Sequence, residues 1–548
     1  LTVLKYKHWY FILEMCGIFA IFGNNLPAKE VIEKCINALH NRGPEFNTYQ
    51  QFANVILGFT RLAINGLTNA GNQPLTVNNI SVVCNGEIYN YKELAERWNI
   101  PLIEGSSDCQ VLPTLFSKLE PTAVCRTLDG VFAMAIVDLD AQTLTLARDP
   151  YGVRPLFMGN GDGFQAFASE IKALTPICSN IRIFPPGSWH RFSLINNEMS
   201  TFNYHHIPWL KNPMCNDITV SQLILSTGLI NAVEKRLMSD RPVGGALSGG
   251  LDSSLVCAIA AKYLKKSNKR LTTFSIGMPG STDLKYADMV AKHINSIHHT
   301  ILLKPEDFFN AIPEVIKAAE TYDITSVRAS VGNYLVGKYI KENTDIKVVL
   351  NGDGSDECGG GYLYMGRAPS DEEFEEEITR LLKDINMFDV LRSDRSMSSH
   401  GLEPRTPFLD KQFVGLWRSI PTKYKRHTKT QIEKYILRLA FDESRMLPYD
   451  VLWRKKEAFS DGVSAAEKPW HQTINDYARS QIENIDQLLT DAPTKYPHNT
   501  PKTPEALYYR MTFETYYGAE NANIIPYFWM PKWSPETNDP SARTLSLY

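Results

Sequence analysis

The chain has 548 residues, 43% hydrophobic and 21% charged, with a formal net charge of -3. That length exceeds what one hydrophobic core organises, so two or more domains are expected. The charge balance gives no case for nucleic acid or an anionic membrane as a partner, and no apolar run reaches the ~20 residues of a spanning helix. Nine cysteines without C-x-x-C spacing argue against a disulfide framework and for a reducing, cytoplasmic location.

Residues 1–15 read as an upstream extension, removed or not native. Leu1 is not an initiator methionine, and the apolar stretch 9–13 has no signal-peptidase-like site after it. Cys16 then precedes a buried-strand pattern over 17–23. Arg42-Gly43-Pro44 forms a turn, and 58–64 a strand carrying one arginine, Arg61. Cys84-Asn85-Gly86-Glu87 sets a polar turn at a strand end, and Gly105-Ser106-Ser107-Asp108 sets another. Residues 130–137 and 143–148 alternate like paired strands. Arg148 and Arg154 flank a turn and read as structural, and Pro185-Pro186-Gly187 is expected to end the sheet. Residues 206–217, with Pro208 and Pro213, read as a linker.

Helical spacing over 218–239 leads to Ser248-Gly249-Gly250-Leu251-Asp252-Ser253-Ser254, set between an apolar run and a helix-forming one. The glycines let several N–H groups converge, the helix N-terminus adds unpaired donors, and the hydroxyls of Ser248, Ser253 and Ser254 can donate to phosphate oxygens. No Gly-Lys-Ser/Thr follows and no G-x-G-x-x-G is present, so neither common nucleotide loop applies. A second strand is expected over 271–278. A third, 347–350, runs into Asn351-Gly352-Asp353-Gly354-Ser355-Asp356-Glu357. Acids and glycines at a strand end suit a magnesium–phosphate site, with Asp252 and Asp356 as Mg2+ ligands. Alternating strands and helices argue for a parallel sheet that binds ligands at its strand C-terminal ends. His293, His298 and His299 read as a helix end and strand start, while the acidic run 371–377 reads as a solvated helix face. The basic run 424–427 is too short and isolated to argue for nucleic acid.

Taken together these motifs resemble the glutamine-hydrolysing asparagine synthetase family over residues 16 to 548. The resemblance implies an N-terminal-nucleophile glutaminase domain over 16–205 and an ATP-pyrophosphatase-type domain over 218–548. The implied fold is α/β and α+β: a four-layer αββα unit followed by a parallel-sheet α/β unit. Cys16 would be the nucleophile, using its own α-amine (reference pKa roughly 7.7–8.0) as base once residues 1–15 are gone. Asn85 and the Gly86 N–H would form the oxyanion hole. Arg61 would hold the glutamine carboxylate, and Glu87 and Asp108 its ammonium group.

In the second unit the resemblance puts pyrophosphate on Ser248, Gly249, Gly250, Asp252, Ser253 and Ser254, with Arg395 facing it. Leu247, Ile276 and Met278 would flank the adenine, and Asn351 and Gly352 would also meet the nucleotide. Thr325 and Arg328 match the segment lining the ammonia-receiving aspartate site. Lys456 would neutralise the leaving pyrophosphate. Asp353 would accept a proton as ammonia attacks; it stands where the family has glutamate, and Asn351 stands where serine is common. The implied substrates are glutamine, aspartate and ATP with Mg2+, in a homodimer. Rival readings are an amidotransferase for another carboxylate, a β-lactam synthetase, and an inactive scaffold. Cys16, Arg61 and Asn85 argue against the second, and the intact loops 248–254 and 351–357 against the third.

Overall fold

Among the described residues twelve strands precede residue 204: β1 (Gly17–Gly23), β2 (Phe46–Phe52), β3 (Val55–Arg61), β4 (Leu75–Val77), β5 (Ile80–Ile88), β6 (Gly130–Asp138), β7 (Thr143–Arg148), β8 (Phe157–Gly161), β9 (Phe164–Ala168), β10 (Ser179–Ile183), β11 (Ser188–Ser193) and β12 (Met199–Asn203). The structure is a computed structural model that describes residues 16–196, 198–209, 216–456, 470–534, 537 and 539–541. The expected upstream extension 1–15, linker residues 210–215 and the segment following Lys456 lie outside the described residues.

The strands form two antiparallel sheets, ordered β10-β8-β9-β1-β3-β2 and β12-β11-β7-β6-β5-β4. Successive side chains of a strand point to opposite faces. In β1, Ile18, Ala20 and Phe22 therefore meet Val83, Ala133 and Phe192 of the other sheet. Phe19 and Ile21 turn outward to Ile32 and Ile36 of the helix Lys29–Asn37. On the second sheet, Val82, Cys84, Phe132 and Met134 face outward to Leu94, Leu112, Leu115 and Val124 on three short helices. The stacking is helix, sheet, sheet, helix, and each fully buried Phe or Leu contributes about 1.5–3 kcal/mol relative to exposure. Pro185-Pro186-Gly187 does not end the sheet. Two strands follow it, and β11 returns to pair with β7 through Trp189 and Ala147.

Beyond residue 217 come the parallel strands β13 (Val243–Ala246), β14 (Thr272–Gly277), β15 (Ile297–Leu302), β16 (Val348–Leu350) and β17 (Glu403–Arg405), in the order β15-β14-β13-β16-β17. The helix Ile218–Lys235 is capped by Asp217, whose Oδ1 accepts from Thr219 N at 2.7 Å. Helices such as Leu251–Lys265 and Ile324–Asn343 make the crossovers that parallel strands require. His293 ends a helix, and His298 and His299 lie in β15.

The acidic run 371–377 is not wholly solvated. Phe374 and Ile378 turn the helix Asp371–Asp384 into the core, which carries Glu375 and Glu377 inward beside them. Glu375 meets Arg418 and Lys425, and Glu377 meets Tyr364 and Arg380. Lys425, from the basic run 424–427, is thus buried.

Leu62 and Ile64 pack on Val348, with Cys16 and Val243 against them. The antiparallel unit therefore sits under the N-terminal ends of β13 and β16. A buried lattice of charge spans the same seam. Arg42 bonds Glu170 and Asp394 at 2.8 Å each, Arg154 bonds Glu403 at 3.0 Å, and Arg395 bonds Glu170 at 3.1 Å and Glu320 at 3.2 Å. No described helix is long and apolar enough to cross a membrane.

Candidate active site

Two sites emerge, at opposite ends of the short parallel strands. The first follows from strand alternation. Cys16, two before Ile18, Arg61, two after Phe59, and Asn85 and Glu87, following Val83, all share the inter-sheet face at its open end. The Cys16 Sγ lies 3.3 Å from both the N and the O of Leu62, and the Cys16 carbonyl accepts from Arg42 Nε at 2.9 Å. Burial pushes the Cys16 thiol up to about 12; Leu62 N–H and Arg61 oppose the rise, while Glu403 and Glu87 add to it. The resting thiol is therefore protonated and needs a base, and no histidine is among the groups acting on it.

Asn85 is 1% exposed, and its Nδ2 has no acceptor among the described residues. A buried donor left unpaired is costly unless a ligand oxygen arrives. Gly86 sits beside it because nothing larger fits: a Cβ there would lie 2.2 Å from Val131 O. Arg61 donates to Thr68 O and Asn72 Oδ1 at 2.7 Å each and to Gly66 O, with no carboxylate partner among the described residues. Burial lowers its pKa. Burial and the facing carboxylates of Asp108 and Glu403 hold Glu87 well above the usual carboxylate range. Asp108, raised by burial to about 6, accepts from Ile88 N at 2.5 Å. Arg405 Nη2 lies 3.4 Å from Glu87 Oε2 and opposes the rise there.

The second site is a cavity of about 240 Å³ at the C-terminal ends of β13, β14 and β16. Ser248, Gly250, Asp252 and Ser253 line one wall, Asn351, Gly352, Asp353 and Asp356 another, and Leu247, Phe274 and Ile276 the apolar side. Ser248 and Ser253 hydroxyls pair with each other at 2.9 Å, and Gly250 N donates to Ser248 Oγ at 3.3 Å. Thr325, Arg328 and Lys456 also line the cavity. The Arg328 fork is shared by Glu505 and Asp539, with Nη1 and Nη2 donating to Asp539 at 3.0 and 2.9 Å.

Asp252 and Asp356 face one point. Lys434 Nζ occupies it, 2.6 Å from an oxygen of each, and Lys456 Nζ holds the other Asp356 oxygen at 2.6 Å. Burial works against the Asp356 charge, but the two ammonium groups overcome it and hold the carboxyl well below its usual range. No cluster of three or more His, Cys, Asp or Glu that could hold a metal occurs among the described residues. The donor set still fits Mg2+ arriving with a nucleotide, since that ion keeps waters and takes phosphate oxygens.

Residues 15–215 match the glutamine amidotransferase domain family, and residues 225–372 and 366–523 match asparagine synthase. The glutamine-hydrolysing asparagine synthetase of Gallus gallus is 42% identical over 570 residues, covering 97% of this chain and 99% of its own. That of Homo sapiens is 40% identical over 576 residues with the same coverage. The chain belongs to the glutamine-hydrolysing asparagine synthetase family. A solved glutamine phosphoribosylpyrophosphate amidotransferase from B. subtilis aligns at 17% identity over 52% of this chain and 81% of its own, with a TM-score of 0.31; nothing rests on that likeness.

For this family member, four expectations change. Arg395, expected to face pyrophosphate, is 1% exposed and belongs to the seam lattice, its Nη1 also donating to Ser169 O at 3.0 Å. The cation that does enter the cavity from that helix is Arg392, one turn earlier, bonded to Asp389 at 2.6 Å and Asp353 at 3.4 Å. Ser254 does not line the cavity, and its Oγ is buried with no partner among the described residues. The helix beginning at Leu251 turns it about 100° from Ser253 and into the core. Met278, expected beside the adenine, lies in the apolar cluster with Phe308 and Ile312. Gly249 belongs to the loop but lies behind the cavity wall.

The sequence reading also missed Lys434, 2% exposed and 182 residues from the Asp252 it bonds. No local motif marks it. Glu357 and Tyr362 were missed as well, although Glu357 closes the acidic loop motif. They bond each other inside the cavity, with Asp389 3.3 Å from the phenol. Burial and Asp389 keep Glu357 well above the usual carboxylate range. Burial also raises Asp353, against the pull of Arg392. Asn351 Nδ2 donates to it at 2.9 Å.

Proposed function

We propose that the chain makes asparagine from aspartate, with glutamine as nitrogen donor and cleavage of ATP to AMP and pyrophosphate as driving reaction. The observation that carries this is one polypeptide holding a thiol beside an unpaired amide donor at one end of its parallel strands, and a phosphate-type loop opening on an acidic and basic cavity at the other. We divide it at the linker 206–217, with the glutaminase unit over 16–205 and the synthetase unit over 218–548.

In the first site, Cys16 Sγ attacks the glutamine side-chain amide. Its α-amine, once freed, takes the thiol proton and returns it to the departing ammonia. Asn85 Nδ2 and the Gly86 N–H stabilise the oxyanion, and water then releases glutamate from the thioester. Arg61 holds the α-carboxylate, and Glu87 and Asp108, losing their protons, hold the α-ammonium. In the second site, an aspartate β-carboxylate oxygen attacks the ATP α-phosphorus and pyrophosphate leaves toward Lys434 and Lys456. Ammonia attacks the acyl carbon, AMP departs, and Asp353 accepts the proton. Thr325 and Arg328 border the aspartate. Mg2+ held by Asp252 and Asp356 together with phosphate oxygens would neutralise charge on the nucleotide.

The same reading includes a cytoplasmic location, supported by eight free thiols among the described residues, and a homodimer, tested by light scattering. The deciding assay follows AMP and pyrophosphate by substrate. Both should form when aspartate is supplied and not without it. Cys16→Ala should lose glutamine-dependent synthesis and keep ammonia-dependent synthesis. ADP as product, or no asparagine even with ammonium salts, would end the proposal.

A further inference from the structure

The chain crosses behind the phosphate-type loop at residues 453–456. Trp453 anchors the crossing: its Nε1 donates to Asp442 Oδ1 at 2.9 Å, and its ring packs on Tyr435. Arg454 comes next. Its Nη1 donates to Gly249 O at 3.2 Å, its Nη2 to Asp283 Oδ1 at 2.8 Å, and its guanidinium lies 4.1 Å above the Tyr286 ring. Asp283 and Tyr286 belong to the helix Thr282–His293, against which the loop is pressed. Gly249 has φ +80°, and a Cβ added there would lie 2.5 Å from Ala287 N.

The Gly249 carbonyl and the Gly250 N–H share one planar trans peptide, so they point in opposite directions. With the carbonyl tied outward to Arg454, the N–H faces inward, where it now donates to the cavity-lining Ser248 Oγ. Glycines on both sides make this peptide easy to rotate. Rotated, it would present an oxygen to an incoming phosphate in place of a donor. Asp283 also lines the cavity, and Arg454 offsets its charge. Arg454 itself is not part of the cavity wall among the described residues.

We propose that Arg454 is a positioning residue for the phosphate loop, holding the Gly249–Gly250 peptide with its N–H toward the nucleotide's phosphates without touching them. This rests on the reading of residues 248–254 as the nucleotide loop. The tether acts on phosphate affinity and leaves the distant thiol site alone.

The test uses the full chain as Arg454→Gln and Arg454→Lys, with ammonia as nitrogen source. For Arg454→Gln the ATP KM and the inhibition constant of pyrophosphate should rise together, by about tenfold or more, with the aspartate KM within about twofold. Arg454→Lys should recover part of the loss, because one ammonium can reach either Gly249 O or Asp283 but cannot fork to both. Glutaminase activity should stay at the wild-type level in both variants. ATP KM and pyrophosphate inhibition both unchanged in Arg454→Gln would overturn the proposal, as would glutaminase falling in parallel with synthesis. The wild-type control separates the premises: if it forms no AMP from ATP and aspartate, the nucleotide-loop reading itself fails.

Discussion

Lys434 is the residue on which the synthetase cavity's charge balance turns. Its ammonium separates two carboxylates that otherwise face each other, and with Lys456 it keeps Asp356 ionised. Lys434→Met should reduce ammonia-dependent synthesis by about a hundredfold or more, as loss of a group opposing developing anionic charge does. Glutamine hydrolysis should stay near wild type; synthesis retained at full rate would remove Lys434 from the machinery. Asp353 gives a sharper separation, because Asn351 and Arg392 both hold its carboxylate in place. Asp353→Ala is expected to abolish asparagine formation while sparing glutaminase activity, read in parallel product assays.

Strand and helix ends carry their own consequences. In β5, Gly86 leaves no room for a side chain against Val131 O. Gly86→Ala should push the strand from β6, costing about 1–3 kcal/mol as overpacking does and disturbing the adjacent Asn85 donor. Glutaminase activity should fall further than the urea midpoint does. In the synthetase unit, His400 follows the helix Asp389–Ser398, with its ring 4.3 Å from that of Tyr334. Burial, aided by the charges of Lys341 and Lys338, lowers its pKa from 6.5 to about 3. Neutral His400 therefore favours the folded state fully above pH 6.5, and that contribution is lost as pH falls toward 3. Between pH 7.5 and 4 the loss is about 3 kcal/mol. Urea unfolding of His400→Gln at the two pH values should show a drop smaller by that amount, and an equal drop would refute the assignment.

Across the whole molecule, the seam lattice joins the two units by desolvated charge. Asp394 lies between Arg42 and Arg154, 2.8 and 3.5 Å away, and Arg42 also holds the Cys16 carbonyl. Asp394→Asn removes the charge shared by two buried cations and should cost about 3–5 kcal/mol, since an uncompensated buried charge is the expensive state. The thermal midpoint should drop, and glutaminase and synthesis should decline together, in contrast to the cavity variants. A variant that melts at the wild-type temperature would show the lattice to be energetically slack.

What was legible in the chain was what short-range order decides. Side chains two apart on a strand share a face whatever the strand later pairs with, so the apolar runs 17–23 and 58–64 were legible from their own segments. Residues 84–87, expected as a turn, instead continue β5 because β6 pairs with them. The candidacy of Cys16, Arg61, Asn85 and Glu87 came from the family resemblance. Glycine turns at strand ends likewise marked residues 248–254 and 351–357. Tertiary contact decided the rest. Arg392 and Arg395 are three residues apart on a helix, about 4.5 Å along its axis and 60° around it. Only the packing of that helix between cavity and seam sends the first to Asp353 and the second to Glu170. Lys434 meets Asp252 across 182 residues, and Glu375 is drawn into the core by its helix neighbours despite its charge. A spacing in sequence carries a local angle; the partner a side chain meets depends on where separate elements come to rest.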